Sequence, residues 1–284
     1  EKTMQQHGGQ KQYGQMNGQQ QQMYGQQQQG GGFPQQHFGV VPQQMQMGGG
    51  GGNYSALAGP NLYVKQTRRG CIQELIGCEA KSEFLISTLE NKDNAFMYAL
   101  EDTTCLNRFI CNNFRKWTMN VTQGNQAGGA LVASYDRPLR CPMGGCKPCC
   151  YQEVYLGSEA VPQGSVVETC YFCVPEFNVV RPDGVIEYRI APPTCLGGMC
   201  INICAEGLCN CRFPFYVFNP SGGTTVEEKV GNITKIWAGF KSELFTDAQK
   251  YEINFPSDAS PDARARLLGG LFLINQLFYE GAEN

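Results

Sequence analysis

From Gly59-Pro60 onward, short runs of alternating apolar and polar residues follow one another, each bounded by turn residues. Leu62-Tyr63-Val64, Glu83 to Leu89, Ala95 to Glu101, Trp117 to Val121, Ala130 to Tyr135, Gln152 to Leu156 and Ser165 to Cys170 have strand length and strand composition. Phe177 to Val180, Val185 to Ile190, Phe213 to Phe218, Thr225 to Val230, Ile233 to Trp237 and Tyr251 to Phe255 continue the series. Asn91-Lys92-Asp93-Asn94, Pro182-Asp183-Gly184 and Asn219-Pro220-Ser221-Gly222-Gly223 supply turns between them. About a dozen strands joined this way predict an all-β antiparallel meander, and one that size loses its exposed edges by closing into a barrel.

The pattern changes once, at the C-terminal end. Ser260 suits an N-cap, Pro261 the first helical position and Asp262 the positive end of the dipole, while Gly281 stops the helix. Leu267, Leu271, Phe272, Ile274 and Phe278, with the apolar residues between them, leave no polar face, so the helix is buried all round, in protein or in lipid. The uncharged run from Leu267 to Tyr279 is about thirteen residues, or roughly 20 Å, against roughly 30 Å of bilayer hydrocarbon. Asn275 and Gln276 stand inside it, costly in a bilayer and easily satisfied within a protein. The favoured reading is the hydrophobic axle of the barrel, with a membrane anchor second. A large barrel leaves a lumen, and this helix is the apolar element available to fill it.

Residues 1–59 read differently. They are Gln, Gly and Met with scattered Tyr, too poor in apolar surface to offset the entropy of ordering, and they predict a disordered low-complexity tail before a domain over 60–284. Phe33-Pro34-Gln35-Gln36 and Val41-Pro42-Gln43-Gln44 form a loose repeat, either a handle for protein partners or an unread spacer. The formal net charge of −3 gives no electrostatic footprint for nucleic acid. Both histidines, His7 and His37, fall in the tail, which removes Ser-His-Asp and Cys-His catalysis from the domain and argues against an enzyme.

Fifteen cysteines, with no apolar signal-peptide core near the N-terminus, point to a reducing compartment and to free, acylated or metal-bound thiols. Cys146 and Cys149 followed by Cys170 and Cys173 approach the spacing of a four-cysteine zinc site. Cys149 and Cys150 are adjacent, beside Lys147 and Pro148 in a Gly-rich stretch, a setting for thioester acylation. Lipidation of Cys146, Cys149 and Cys150 is the favoured of these two readings.

Arg137-Pro138-Leu139-Arg140-Cys141, the cysteine cluster and Gln152-Glu153-Val154 resemble the phospholipid scramblases. So do Tyr98-Ala99-Leu100-Glu101-Asp102-Thr103-Thr104-Cys105, Trp237-Ala238-Gly239, Phe245-Thr246-Asp247-Ala248 and Ile253-Asn254-Phe255-Pro256 leading into Phe272-Leu273-Ile274. The resemblance implies a tubby-like barrel of twelve strands around a hydrophobic helix, and ATP-independent, calcium-responsive movement of phospholipids between leaflets. It implies palmitate on Cys146, Cys149 and Cys150 and attachment to the plasma membrane, with free-thiol chemistry favouring its cytoplasmic face; family convention also allows a single-pass C-terminal helix.

The family's calcium segment falls on Asp247 to Asp258, with Asp247, Gln249 and Asp258 as oxygen donors. Tyr251 and Glu252 occupy its fifth and sixth positions, where a calcium loop places an oxygen donor and a Gly. Calcium loop and barrel strand are both open for this segment. The family's nuclear-import segment, Gly231 to Gly239, keeps Lys235 as its one basic residue. A second functional class also fits: an acylated, membrane-tethered binding or signalling adaptor that does not itself move lipid.

Overall fold

The computed structural model describes residues 52–67, 81–104, 114–140, 151–170, 174–193, 212–236 and 249–280. The chain divides into two units, Glu1–Gln46 and Met47–Asn284, and the described residues fall in the second. Twelve strands run in order: β1 Leu62–Thr67, β2 Glu83–Thr88, β3 Ala95–Asp102, β4 Trp117–Gln123, β5 Leu131–Arg137 and β6 Glu153–Ser158. β7 Val161–Glu168, β8 Phe177–Val180, β9 Ile186–Ala191, β10 Arg212–Phe218, β11 Lys229–Ile236 and β12 Lys250–Asn254 follow, before helix α1, Pro261–Phe278. Each strand pairs antiparallel with its neighbour in sequence. β1 then meets β12, with Leu62 opposite Ile253 and Lys65 opposite Lys250, so the sheet is a closed barrel.

Alternation sets which side chains enter the lumen, because successive Cβ atoms of a strand point to opposite faces. Leu62 and Val64 on β1, Met97 and Ala99 on β3, Trp117, Met119 and Val121 on β4, and Tyr251 and Ile253 on β12 are all buried against the core.

Predicted boundaries move at β7, which begins at Val161 and not at Ser165, and at two further places. Thr225 to Val230 and Ile233 to Trp237 are not two strands: Lys229–Ile236 is one, and Gly231-Asn232 lies within it instead of turning the chain. A side chain at Gly231 would meet the Asn254 carbonyl oxygen at 2.5 Å, so close approach of the neighbouring backbone explains the glycine. Thr225 instead caps a short 3-10 turn, Val226–Glu228, in a capping box with Glu228. The last shift lies within the stretch predicted as tail, where Tyr54–Leu57 forms a 3-10 turn whose Tyr54 and Leu57 are buried in the core. Arg264 of α1 donates to the Leu57 carbonyl (3.4 Å) and to that of Gly59, tying this turn to the helix.

α1 fills the barrel. Ser260 Oγ accepts from the Ala263 amide at 3.2 Å, and the Tyr279 amide closes the last turn on the Asn275 carbonyl at 2.9 Å. Leu267, Leu268, Leu271 and Leu273 have no exposed surface, and Phe272 and Ile274 have 1% each. Burying such side chains contributes about 1.5–3 kcal/mol apiece. Phe278 is half-buried, with its ring centroid 6.3 Å from that of Phe177 and 5.7 Å from that of Phe215.

The polar groups that argued against lipid bond to the wall through their oxygens, while Gln276 Nε2 has no partner among the described residues. The Tyr251 hydroxyl donates to Asn275 Oδ1 at 2.6 Å, Trp117 Nε1 donates to Gln276 Oε1, and the Tyr135 hydroxyl donates to the Ala265 carbonyl at 2.8 Å. Among the described residues no helix is long and apolar enough to cross a membrane.

Candidate functional site

In a closed antiparallel meander alternate connections emerge at opposite ends of the barrel, and here the two ends differ. At one end the β2–β3, β4–β5, β6–β7, β8–β9 and β10–β11 turns are short, none longer than Asn219–Glu228, and α1 enters there. At the other end the chain makes the β1–β2, β3–β4, β5–β6, β7–β8, β9–β10 and β11–β12 connections, and α1 finishes there. All fifteen cysteines belong to the first five of these. We call this the loop end and the other the turn end.

The residues proposed for acylation, Cys146, Cys149 and Cys150, lie outside the described residues. The chain runs towards them from Arg140, just beyond β5, and returns at Tyr151, just before β6. Of the zinc alternative, Cys146, Cys149 and Cys173 also lie outside them. Cys170 is described: it is exposed, two residues beyond β7, and its hydrogen bond to Tyr151 raises that phenol's pKa. No group of three or more potential metal ligands occurs among the described residues.

The calcium segment divides along the barrel. Asp247 lies outside the described residues, Gln249 is buried at the loop end, and Asp258 is exposed at the turn end, where its Oδ1 accepts from the Tyr188 hydroxyl at 3.4 Å. β12 separates Gln249 from Asp258, and its five residues span about 17 Å at strand rise. Tyr251 and Ile253 face the core, and Glu252 faces outward between Lys92 (2.8 Å) and Arg212, which outweigh its partial burial and lower its carboxyl pKa.

Beneath the loop end a buried ionic cluster joins the wall to the end of the helix. Arg115, just before β4, donates from Nε to Glu101 Oε1 and from Nη2 to Glu101 Oε2, both at 2.8 Å, and from Nη2 to Glu280 Oε1 at 3.1 Å. Arg115 and Glu101 side chains are each 1% exposed, so the pair exchanges hydration for a fixed two-pronged geometry. Burial alone would lower the Arg115 pKa; Glu280 and Glu101 more than reverse it, and the group is raised. Burial also raises the Glu280 carboxyl, against the opposing pull of Arg115. Ser82 bonds both acids, from its amide to Glu101 (3.3 Å) and from its hydroxyl to Glu280.

A second limb follows around the rim, where Arg137 donates to Gln152 Oε1 at 2.6 Å and the Gln152 amide donates to Glu168 at 3.0 Å. Burial, with repulsion from Arg115, lowers the Arg137 pKa to about 9. The sequence reading gave these ions no role, although a signal existed: Glu101 continues the inward phase of Met97 and Ala99, an acid placed on the core face.

Residues 56–281 match the Scramblase family. The chain is 31% identical over 212 residues to phospholipid scramblase 2 of Bos taurus, covering 74% of this chain and 65% of that protein. It is 30% identical to phospholipid scramblase 1 of Rattus norvegicus, over 75% of this chain and 58% of that protein. Against human phospholipid scramblase 2 it is 33% identical over 186 residues, which is 64% of this chain and 56% of that protein. The chain thus spans about three-fifths of the length of the curated relatives it matches. No solved structure matches it. With the family matched over about four-fifths of the chain and the barrel closed around its helix, this protein belongs to the scramblase family.

Proposed function

We propose that this protein takes part in ATP-independent, calcium-responsive movement of phospholipids in both directions between bilayer leaflets, held at the cytoplasmic face of the plasma membrane by palmitate on Cys146, Cys149 and Cys150. The observation that carries this reading is the match over residues 56–281 to a family whose curated members are named phospholipid scramblases. The departure of every cysteine-bearing connection from one barrel end supports the attachment, because acyl groups on them would join the barrel at that same end. A single acyl chain binds membranes only marginally, so at least two thiols carry palmitate in this reading. The process moves lipid without bond chemistry.

Reconstitution of the full chain into liposomes holding a fluorescent phospholipid tests the activity. Flipping above empty vesicles that rises with calcium and falls with chelator is expected; none above empty vesicles would reject direct activity. Hydroxylamine, which cleaves thioesters, should release the native protein from membranes. Retention would reject acyl attachment.

One observation favours a second reading, the tethered adaptor. The lumen is occupied by α1, with Leu267 through Ile274 sealed from solvent, and an occupied lumen offers no polar path for a headgroup. A bound protein or lipid ligand without flipping would support the adaptor, and flipping by the purified protein alone would reject it.

A further inference from the structure

The two barrel ends differ in charge as well as in cysteine content. The turn-end connections expose Glu90, Asp93, Glu159, Asp183, the Glu227-Glu228 pair and Asp258, against Lys92 and Arg181. Lys92 is engaged by Glu252 at 2.8 Å and Arg181 by Asp183 at 2.6 Å, so the charge left over at that end is negative.

Among the described residues of the loop end the balance reverses. Asp102 is paired with Lys81 at 3.3 Å and Glu176 with Arg189 at 3.7 Å, while Glu101, Glu168 and Glu280 belong to the internal ion cluster. Arg140 pairs with Glu153, and Arg212 with Glu252. Lys65 on β1, Lys116 just before β4 and Lys250 on β12 have no carboxylate partner among the described residues, and Lys65 and Lys116 are exposed.

Lys65 and Lys250 also stand directly opposite one another across the β1–β12 pair that closes the barrel. Like charges in that relation oppose strand pairing. On the same outward face Glu252 is taken by Lys92 and Arg212 and Glu83 is bonded by Thr67, so the two ammonium groups at the closing seam are left to an external anion.

We infer that the loop end docks the barrel end-on against an anionic bilayer, with Lys65, Lys116 and Lys250 meeting lipid phosphates and carboxylates and the acidic turn end facing away. The inference rests on the proposed membrane role and gives it an orientation. It also accounts for how a chain of net charge −3 approaches a negative surface: the field is polar, and the end bearing the cysteines arrives first. Acylation would then act on a barrel already oriented with its cysteine-bearing end towards the bilayer.

The test uses full-length protein made without acyl groups, sedimented with vesicles of phosphatidylcholine alone or of equal parts phosphatidylcholine and phosphatidylserine. Each lysine near an anionic surface contributes about fivefold in binding, so Lys65→Gln, Lys116→Gln and Lys250→Gln together should weaken binding to the mixed vesicles on the order of a hundredfold. The turn-end triple Lys92→Gln, Arg181→Gln and Lys229→Gln should leave it within about threefold. Amine labelling of the unaltered protein on the same vesicles should protect Lys65, Lys116 and Lys250 and leave Lys92 and Lys229 reactive, a readout that needs no variant to fold.

Equal losses from the two triples, protection at the turn end, or no preference for phosphatidylserine would each overturn the orientation. Flipping measured on the same vesicles reports on activity alone, so the two readings fail separately.

Discussion

Gly269 and Gly270 are adjacent glycines in the middle of α1, and the structure assigns them different neighbours. A Cβ built at Gly269 would lie 2.9 Å from both Cδ1 and Cε1 of Tyr135, closer than real Cβ contacts come. Tyr135 has no exposed surface, and its hydroxyl is held by the Ala265 carbonyl at 2.8 Å, so its ring cannot swing away without losing that bond. A Cβ at Gly270 would meet the Cδ1 tip of Ile190 at 3.1 Å, the far end of a flexible side chain, and the two Val166 methyls at an ordinary 3.7 Å.

Replacing either glycine by Ala gains about 1 kcal/mol of helix propensity. That gain is common to both positions and cancels in their difference. What remains is overpacking against a fixed ring, about 1–3 kcal/mol. Gly269→Ala should therefore unfold more easily than Gly270→Ala by that amount in urea titrations, or melt about 2–10 °C lower for a domain of this size. A helix surrounded by lipid or solvent would show no such difference. Equal stability of the two variants would refute the placement of α1 against β5.

Three further outcomes follow from the ionic cluster and the helix's polar contacts. Glu101→Gln leaves Arg115 buried without its two-pronged partner and should cost about 3–5 kcal/mol in a denaturant titration. Glu280→Gln should cost much less, because the bonds to Glu101 remain, and it should change the pH dependence. The Glu280 carboxyl is raised by burial, so its contribution is complete below its ordinary value of 4.5 and fades as pH rises through the higher folded value. The stability of the native protein relative to Glu280→Gln should accordingly fall as pH rises, and a pH-independent difference would contradict the raised pKa. Gln276→Leu leaves the Trp117 indole N–H buried without its acceptor and should cost about 1–3 kcal/mol, measured by the shift in urea midpoint.

The strands were legible because β4 and β12 alternate apolar and polar residues and β1 and β3 carry short apolar runs of strand composition, and the helix because its apolar face has no end. Misread positions were those where a residue usually found in turns serves a sheet. Gly231-Asn232 reads as a turn but sits in mid-strand, because the Asn254 backbone presses where a side chain would be. Val161-Pro162-Gln163-Gly164 reads as a break before Ser165, yet β7 begins at Val161 and pairs Pro162 with Gly157 around an irregularity in register. The partners of Asn275 and Gln276 were out of reach, because Tyr251 and Trp117 lie 24 and 159 residues away. The common end of the cysteine clusters was visible only in combination with topology: each cluster lies between an odd-numbered strand and the next, which places all of them together once the meander closes.

The same closure limits how such a protein could act on lipid. Opening the lumen to a headgroup means withdrawing α1, which exposes Leu267, Leu268, Leu271, Phe272, Leu273 and Ile274 and leaves Tyr251, Trp117 and Tyr135 without their helix partners. At about 1.5–3 kcal/mol per apolar side chain and about 1–3 kcal/mol per orphaned polar group, this exceeds 10 kcal/mol, comparable to the entire stability of a typical domain. Withdrawal of the helix is thus equivalent to unfolding, and no binding event of ordinary strength drives it. Under the proposed function, lipid movement by a folded chain would then run outside the barrel, at the proposed contact between its loop end and the bilayer. Substitutions in the lumen should then lower activity only as far as they lower the folded fraction, whereas loop-end substitutions should lower it in protein that remains fully folded.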